Sequence, residues 1–269
     1  MVADLSEYMG ISQFGQAYRI MMENDAHAPG SVDRVLAERM IRLCTETAAQ
    51  LYARYTPTAI HYLEGSRPRL ERYVRQAIKG CHTEEDKVEG IASFCSRLKE
   101  KVEGETLSEM VLGGLEEDVV ERGSDWCPDV ARVACVLCQV AGIPSRLVML
   151  FNTDQAYSGH VIIEAYRSGA WGGVDPLTNV VYRSQGRPAT TWELMRDPGV
   201  VKAHWRGSST PYNTPGQFRS AAISNYLVWD RDKYDYSTSR ANDYYRSILE
   251  ISQRGWPGGL RWIQGEDES

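Results

Sequence analysis

Residues 127–141, CPDVARVACVLCQVA, limit the fold more than any other part of the chain. Val130, Val133, Ala134, Leu137 and Val140 recur at helical spacing and give the segment an apolar face. Pro128 suits the first helical turn, where its missing N–H leaves nothing unsatisfied, and Gly142-Ile143-Pro144 ends the helix. Three β-type segments follow at residues 146–151, 160–166 and 170–174, rich in Val, Ile and aromatics and divided by NTDQAYSG and RSG turns. A helix of this kind beside a short-looped β-meander predicts the α+β class, with the helix packed on an antiparallel sheet.

The flanking regions read as helical. Residues 31–60 carry Leu36, Met40, Leu43 and Leu51 at helical spacing behind Ser31, a residue suited to the N-cap. Further helices are predicted over 68–79 and 83–102. The second of these opens with Thr83 before Glu84, Glu85 and Asp86, and buries Val88, Ile91, Phe94, Cys95 and Leu98. From Gly186 onward short helices and loops alternate (WELMRD, PYNTPGQ), followed by a terminal helix in SRANDYYRSILEISQRG and an acidic GEDES tail. Tyr234, Tyr236, Tyr244 and Tyr245 in that wrap are expected to cover the core rather than line a cleft.

A chain of 269 residues can bury a core without covalent staples, so the six cysteines (44, 81, 95, 127, 135 and 138) are expected as free thiols. The net charge of -6 opposes broad binding to phosphates, and no nucleic-acid partner is expected. The first residues lack a basic segment followed by an apolar run, and no stretch approaches the roughly 18 apolar residues of a spanning helix. The expected location is cytoplasmic, away from membranes.

A thiol nucleophile needs a lowered pKa, an imidazole to share its proton and a third group to orient the ring. Cys127 heads the strong helix, where unpaired N–H groups and the helix dipole favour a thiolate, while the flanking Asp125 and Asp129 oppose it. His160 opens the β-segment downstream, in SGHVIIEAY. Asp175, in WGGVDP, ends the neighbouring segment, within reach of that ring on adjacent strands. Cysteine on a helix tip with His and Asp on adjoining strands is the nucleophile, base and orienter arrangement that recurs on unrelated folds.

In these same residues the chain resembles the transglutaminase-like superfamily, with a papain-like core. GSDWCPDVARVACVLCQVAGIPSRLV followed by GHVIIEAYRSGAWGGVDP reproduces the order Cys, His, Asp. Gly142, Ile143, Pro144 and Arg146 match its GIP-R segment, Glu164 and Tyr166 the acid and aromatic after the His, and Trp171, Asp175 and Pro176 the closing strand. Asp125 stands where many relatives have glycine, two residues before the Cys, and Gly123 lies farther back. The resemblance implies an N-terminal helical extension over 1–83, a catalytic core over 84–185 and a C-terminal extension packed on it over 186–269. It also implies an acyl-enzyme on Cys127, with His160 as base and Asp175 holding the ring.

The substrate would be a peptide, protein or small amide, the acceptor water or an amine, and no cofactor is expected. The Cys127 backbone N–H is the first oxyanion donor, and Trp126 is a candidate wall of the substrate site. Two other readings compete: a catalytically inactive binding or scaffolding protein that keeps the fold, and a metal-binding thiol protein using Cys127, Cys135 and Cys138. Cys135 and Cys138 form a C-x-x-C inside the helical run, which favours core packing over zinc. His27, His61, His82 and His204 have no partner at ligand spacing and read as solvated or structural.

Overall fold

The computed structural model describes residues 41–54, 62–106, 109–152, 158–204, 215–224 and 226–228. In chain order these form β1 (Ile41–Arg42), then α1 (Thr45–Ala48) running into a π-helical turn (Ala49–Arg54). Next come α2 (Pro68–Ala77), α3 (Glu84–Ser96) with a 3-10 turn (Arg97–Val102), α4 (Glu116–Arg122) and α5 (Cys127–Val140). The strands β2 (Ser145–Asn152), β3 (Ser158–Arg167), β4 (Ala170–Asp175), β5 (Val180–Val181), β6 (Arg183–Ser184) and β7 (Arg187–Pro188) follow. After them lie α6 (Thr191–Arg196), α7 (Pro198–His204), a 3-10 turn (Pro215–Phe218) and β8 (Ser220–Ser224). The terminal helix and its tyrosines, Ser31, His27, His61 and the acidic tail lie outside the described residues.

The meander is where the alternation places it. β2 pairs β3 with Leu150 opposite His160, and β3 pairs β4 with Ile163 opposite Val174, all antiparallel. The whole sheet runs β1-β8-β2-β3-β4-β5, so strands from either flank of the meander extend it on the β2 side. The continuous helix expected over 31–60 is therefore interrupted: Ile41 and Arg42 pair with Ile223 and Ala222 of β8. Edge pairing satisfies backbone groups that a helix would otherwise satisfy internally, and such tertiary demands override a weak helical preference.

Alternate side chains of the sheet enter two cores. Val161, Ile163, Ala165 and Val174 pack with α2, α3, α4 and α5, whereas Val148, Leu150, Ile162, Trp171 and Ile223 meet Leu43, Leu51, Leu194, Val201 and Phe218. Between sheet and helices, α5 is enclosed: Ala131, Cys135, Val136, Cys138 and Gln139 are buried along with Val130, Val133, Ala134 and Leu137 of the expected face, while Val140 is half-buried. Its end is a Schellman motif, with Ile143 N–H donating to Cys138 O at 2.9 Å and Gly142 N–H to Gln139 O at 3.0 Å. Gly142 supplies the positive φ of 81° that this closure requires. α3 opens at Thr83 as expected, with Thr83 and Asp86 forming a capping box, and its Phe94 is half-buried rather than buried.

Candidate active site

The path into α5 is fixed by steric and hydrogen-bonding detail. Gly123, with φ of 89°, leaves α4 so close to the preceding 3-10 turn that a Cβ would stand 2.4 Å from Lys101 Cβ and 2.7 Å from Leu98 O. Ser124 N–H donates to Leu98 O at 3.2 Å, and Trp126 N–H donates to Ser124 Oγ at 3.1 Å. Trp126 then caps the helix in an extended conformation, its carbonyl accepting from Asp129 and Val130 N–H at 3.0 and 3.1 Å. Cys127 is thereby the first helical residue and retains 9% exposure.

The two acids beside it behave differently. Asp129 is fully buried, but its carboxylate accepts from Gly113 N–H at 2.8 Å and from Arg132 at 2.8 Å, with Arg122 at 3.4 Å. Two guanidiniums answer its charge and so offset the opposition to a Cys127 thiolate that the sequence expects of it. Asp125 stays at the exposed rim, where desolvation pushes its carboxyl up and Lys99 acts the other way.

His160 lies near the start of β3, only 1% exposed, with Nε2 2.8 Å from Asp175 Oδ2. Burial alone would lower the imidazole. The Asp175 charge and hydrogen bond, followed by a hydrogen bond and charge interaction with the Cys127 thiol, outweigh it and raise the ring to about 10. Asp175, the last residue of β4, turns its other oxygen to Leu177 N–H at 3.0 Å and Thr178 N–H at 3.3 Å. Burial pushes this carboxyl up, but His160 and Thr178 prevail and leave it below the usual carboxylate value. The structure therefore brings Cys127, His160 and Asp175 together, with half-buried Trp126 one residue before the thiol.

The remaining sequence candidates separate from this cluster. Cys135 and Cys138 are fully buried, and burial pushes the Cys135 thiol up to about 12 and the Cys138 thiol upward as well. Along α5 Cys135 stands roughly 12 Å from Cys127, at the helical rise per residue, so the three thiols of the metal reading cannot meet at one ion. His204 is structural: Nδ1 lies 2.8 Å from Val200 O, and Nε2 accepts from Arg183 N–H at 3.1 Å. His82 is exposed.

A second buried cluster lies on the same meander. Glu164 accepts from Arg146 Nε at 2.9 Å and Nη2 at 2.6 Å, from Tyr52 Oη at 2.8 Å and from Thr191 N–H at 2.7 Å. The Arg146 guanidinium lies 3.9 Å from the Trp171 ring centroid. Residue pattern marked Arg146, Glu164 and Trp171 but not this joint role; two opposite charges inside apolar strands were the available signal. Thr178 was missed as well, and its signal was the D-P-x-T turn after β4, which suits an Asx-turn.

A helix bearing an N-terminal cysteine, set on an antiparallel sheet that presents His and Asp on adjacent strands, defines an α+β core of papain-like type. Residues 71–176 match the family model of the transglutaminase-like superfamily, whose members in general use cysteine-based catalysis. No curated protein and no solved structure matches the chain. Among the described residues no helix is long and apolar enough to cross a membrane.

Proposed function

We propose that the chain is a cysteine-dependent amide hydrolase or acyl transferase in which Cys127 is the nucleophile, His160 the base and Asp175 the residue that orients the ring. The observation carrying this reading is the buried 2.8 Å His160–Asp175 pair, with the Cys127 thiol of the α5 tip hydrogen-bonded to the same imidazole. Because Nε2 is engaged by the carboxylate, proton exchange with the thiol falls to Nδ1. The ring already holds the thiol proton in a thiolate–imidazolium pair; sulfur attacks a carboxamide carbon, and the C–S bond forms while the carbonyl π electrons move to oxygen. The Cys127 backbone N–H and the N-terminal end of α5 face the developing oxyanion.

Collapse of that intermediate breaks the C–N bond, and the imidazolium gives its proton to the departing amine. Water or a second amine, deprotonated by His160, then attacks the thioester and releases the thiol. Trp126 forms a wall beside the reacting carbonyl. The substrate is a peptide, a protein or a small amide, and the location proposed is the cytoplasm.

The test is the alkylation rate of Cys127 against pH, followed by peptide mass spectrometry in the parent and in His160→Ala, with Cys135 and Cys138 as internal controls. Rapid labelling of Cys127 alone at neutral pH, lost in the variant, supports the activated pair. Labelling as slow as that of the two core thiols would overturn it and favour a binding protein on the same fold.

A further inference from the structure

We infer that Thr178 is a positioning residue of the site: its hydroxyl and N–H, with the N–H of Leu177, fix the Asp175 carboxylate so that Oδ2 alone is presented to His160. The inference rests on the triad reading above and extends it to a residue beyond the triad. β4 ends at Asp175, and the chain turns at once so that Oδ1 accepts from Leu177 N–H at 3.0 Å and Thr178 N–H at 3.3 Å. The Thr178 hydroxyl adds a side-chain hydrogen bond to the same carboxylate. A carboxylate whose Oδ1 is held by two backbone donors, with the Thr178 hydroxyl as a further donor to the group, cannot rotate to exchange its oxygens without breaking those bonds. The His160 ring therefore meets one fixed acceptor, and its Nδ1 keeps one direction.

The arrangement also keeps Asp175 ionised. A buried carboxylate is tolerated when hydrogen bonds to its charged form replace water, and Thr178 supplies two of the bonds that oppose the cost of burial here. Among the described residues, the other ionisable groups acting on the pair are Cys127, from the tip of α5, and the buried Tyr182, which follows β5 and feels the Asp175 charge. Neither group lies on the 177–178 turn. Removing the Thr178 hydroxyl therefore changes the carboxylate without touching the thiol or the phenol.

Thr178→Val keeps the shape of this half-buried side chain and deletes the hydroxyl, while Thr178→Ser retains it. The readout is the titration of His160 in protein labelled with 15N-histidine, assigned by comparison with His160→Gln. Thr178→Val should lower the pH at which His160 loses its proton by about one unit, with Thr178→Ser moving back toward the parent. A parent-like titration in Thr178→Val would overturn the inference, as would an equal drop in both variants, since the hydroxyl would not then be its cause. Cys127 alkylation is measured on the same samples. A sluggish parent thiol would count against the acyl-transfer reading by itself, because the His160 titration reports on Thr178 whether or not the thiol is activated.

Discussion

Asp175 and Glu164 both lie at 0% exposure on the meander, and the contrast between them separates site from scaffold. Each carboxylate is saturated with donors. Glu164 receives two bonds from Arg146, one from Tyr52 and one from Thr191, while Asp175 receives His160, Leu177 and Thr178. The difference is the partner. A guanidinium has no proton to give in the range where enzymes work, so that pair serves as a fixed joint; an imidazole can take and return one. The joint ties β2 and β3 to the π-helical turn through Tyr52 and to the start of α6 through Thr191. The His160 pair sits instead where β3 begins and β4 ends, within reach of Cys127. One way of burying a carboxylate thus yields rigidity in one place and exchangeable charge in another.

Breaking the two pairs should break different properties. The largest expected effect is on chemistry: Cys127→Ala should cost roughly 10⁴-fold or more in turnover of any amide substrate, and His160→Ala nearly as much, because residues that act as a unit fail as one. Thermal unfolding should show both variants folded; full amide turnover in Cys127→Ala would remove it as the nucleophile. Next in size is a stability effect. Glu164→Ala leaves a buried guanidinium without its acid and should cost about 3–5 kcal/mol in urea unfolding. Replacing Arg146 and Glu164 together by apolar residues should recover much of that loss, since the penalty arises from the orphaned charge rather than from loss of the pair itself.

Much of this was legible in the sequence because α5 and the meander are written in period and punctuation. The valines of α5, its Gly142 stop and the alternation of 160–166 led to the observed elements within a residue or two. Cys127, His160 and Asp175 could be grouped because a helix tip and adjacent antiparallel strands leave few places for them. The enclosure of α5 was not legible, since the helices that cover it come from elsewhere in the chain. The partners of Asp129 were hidden for the same reason: Arg122, Arg132 and Gly113 meet it only after α4 and α5 pack. β8 was missed because the short run in Ser220–Ser224 carries too little pattern to announce a strand, and it becomes one by pairing with β2.

The pairs should also differ in how stability follows pH. The imidazole of His160 is held at about 10 in the folded chain against 6.5 without the fold. Its stabilising contribution is complete below about pH 6.5 and is lost as the pH rises towards 10. Asp175 works in the opposite sense: its depressed carboxyl contributes above roughly pH 4, the unfolded value, and that contribution is lost as acid protonates it. Urea midpoints of the parent should therefore fall between pH 7 and 10, and this slope should flatten in His160→Gln. Glu164→Ala should lower the midpoint at both pH values while keeping the slope. An unchanged slope in His160→Gln would mean that the imidazole carries no charge in the folded protein.

A third ion pair tests whether enclosure, rather than pairing alone, gives these effects their size. Arg187 and Glu193 form a charge-assisted pair much like that of Arg146 and Glu164, but their side chains are 55% and 28% exposed. Water already solvates both groups, and salt screens what remains of their attraction. The Glu193 carboxylate also accepts from Thr190 N–H at 2.9 Å in the capping box of α6, so Arg187 is the partner whose removal isolates the pair. Arg187→Ala should therefore cost between about 0 and 1 kcal/mol in urea unfolding, less at high salt, and leave Cys127 alkylation unchanged. A loss approaching that of Glu164→Ala would show that the short β6–β7 hairpin depends on this contact to hold α6, and enclosure would no longer explain the contrast.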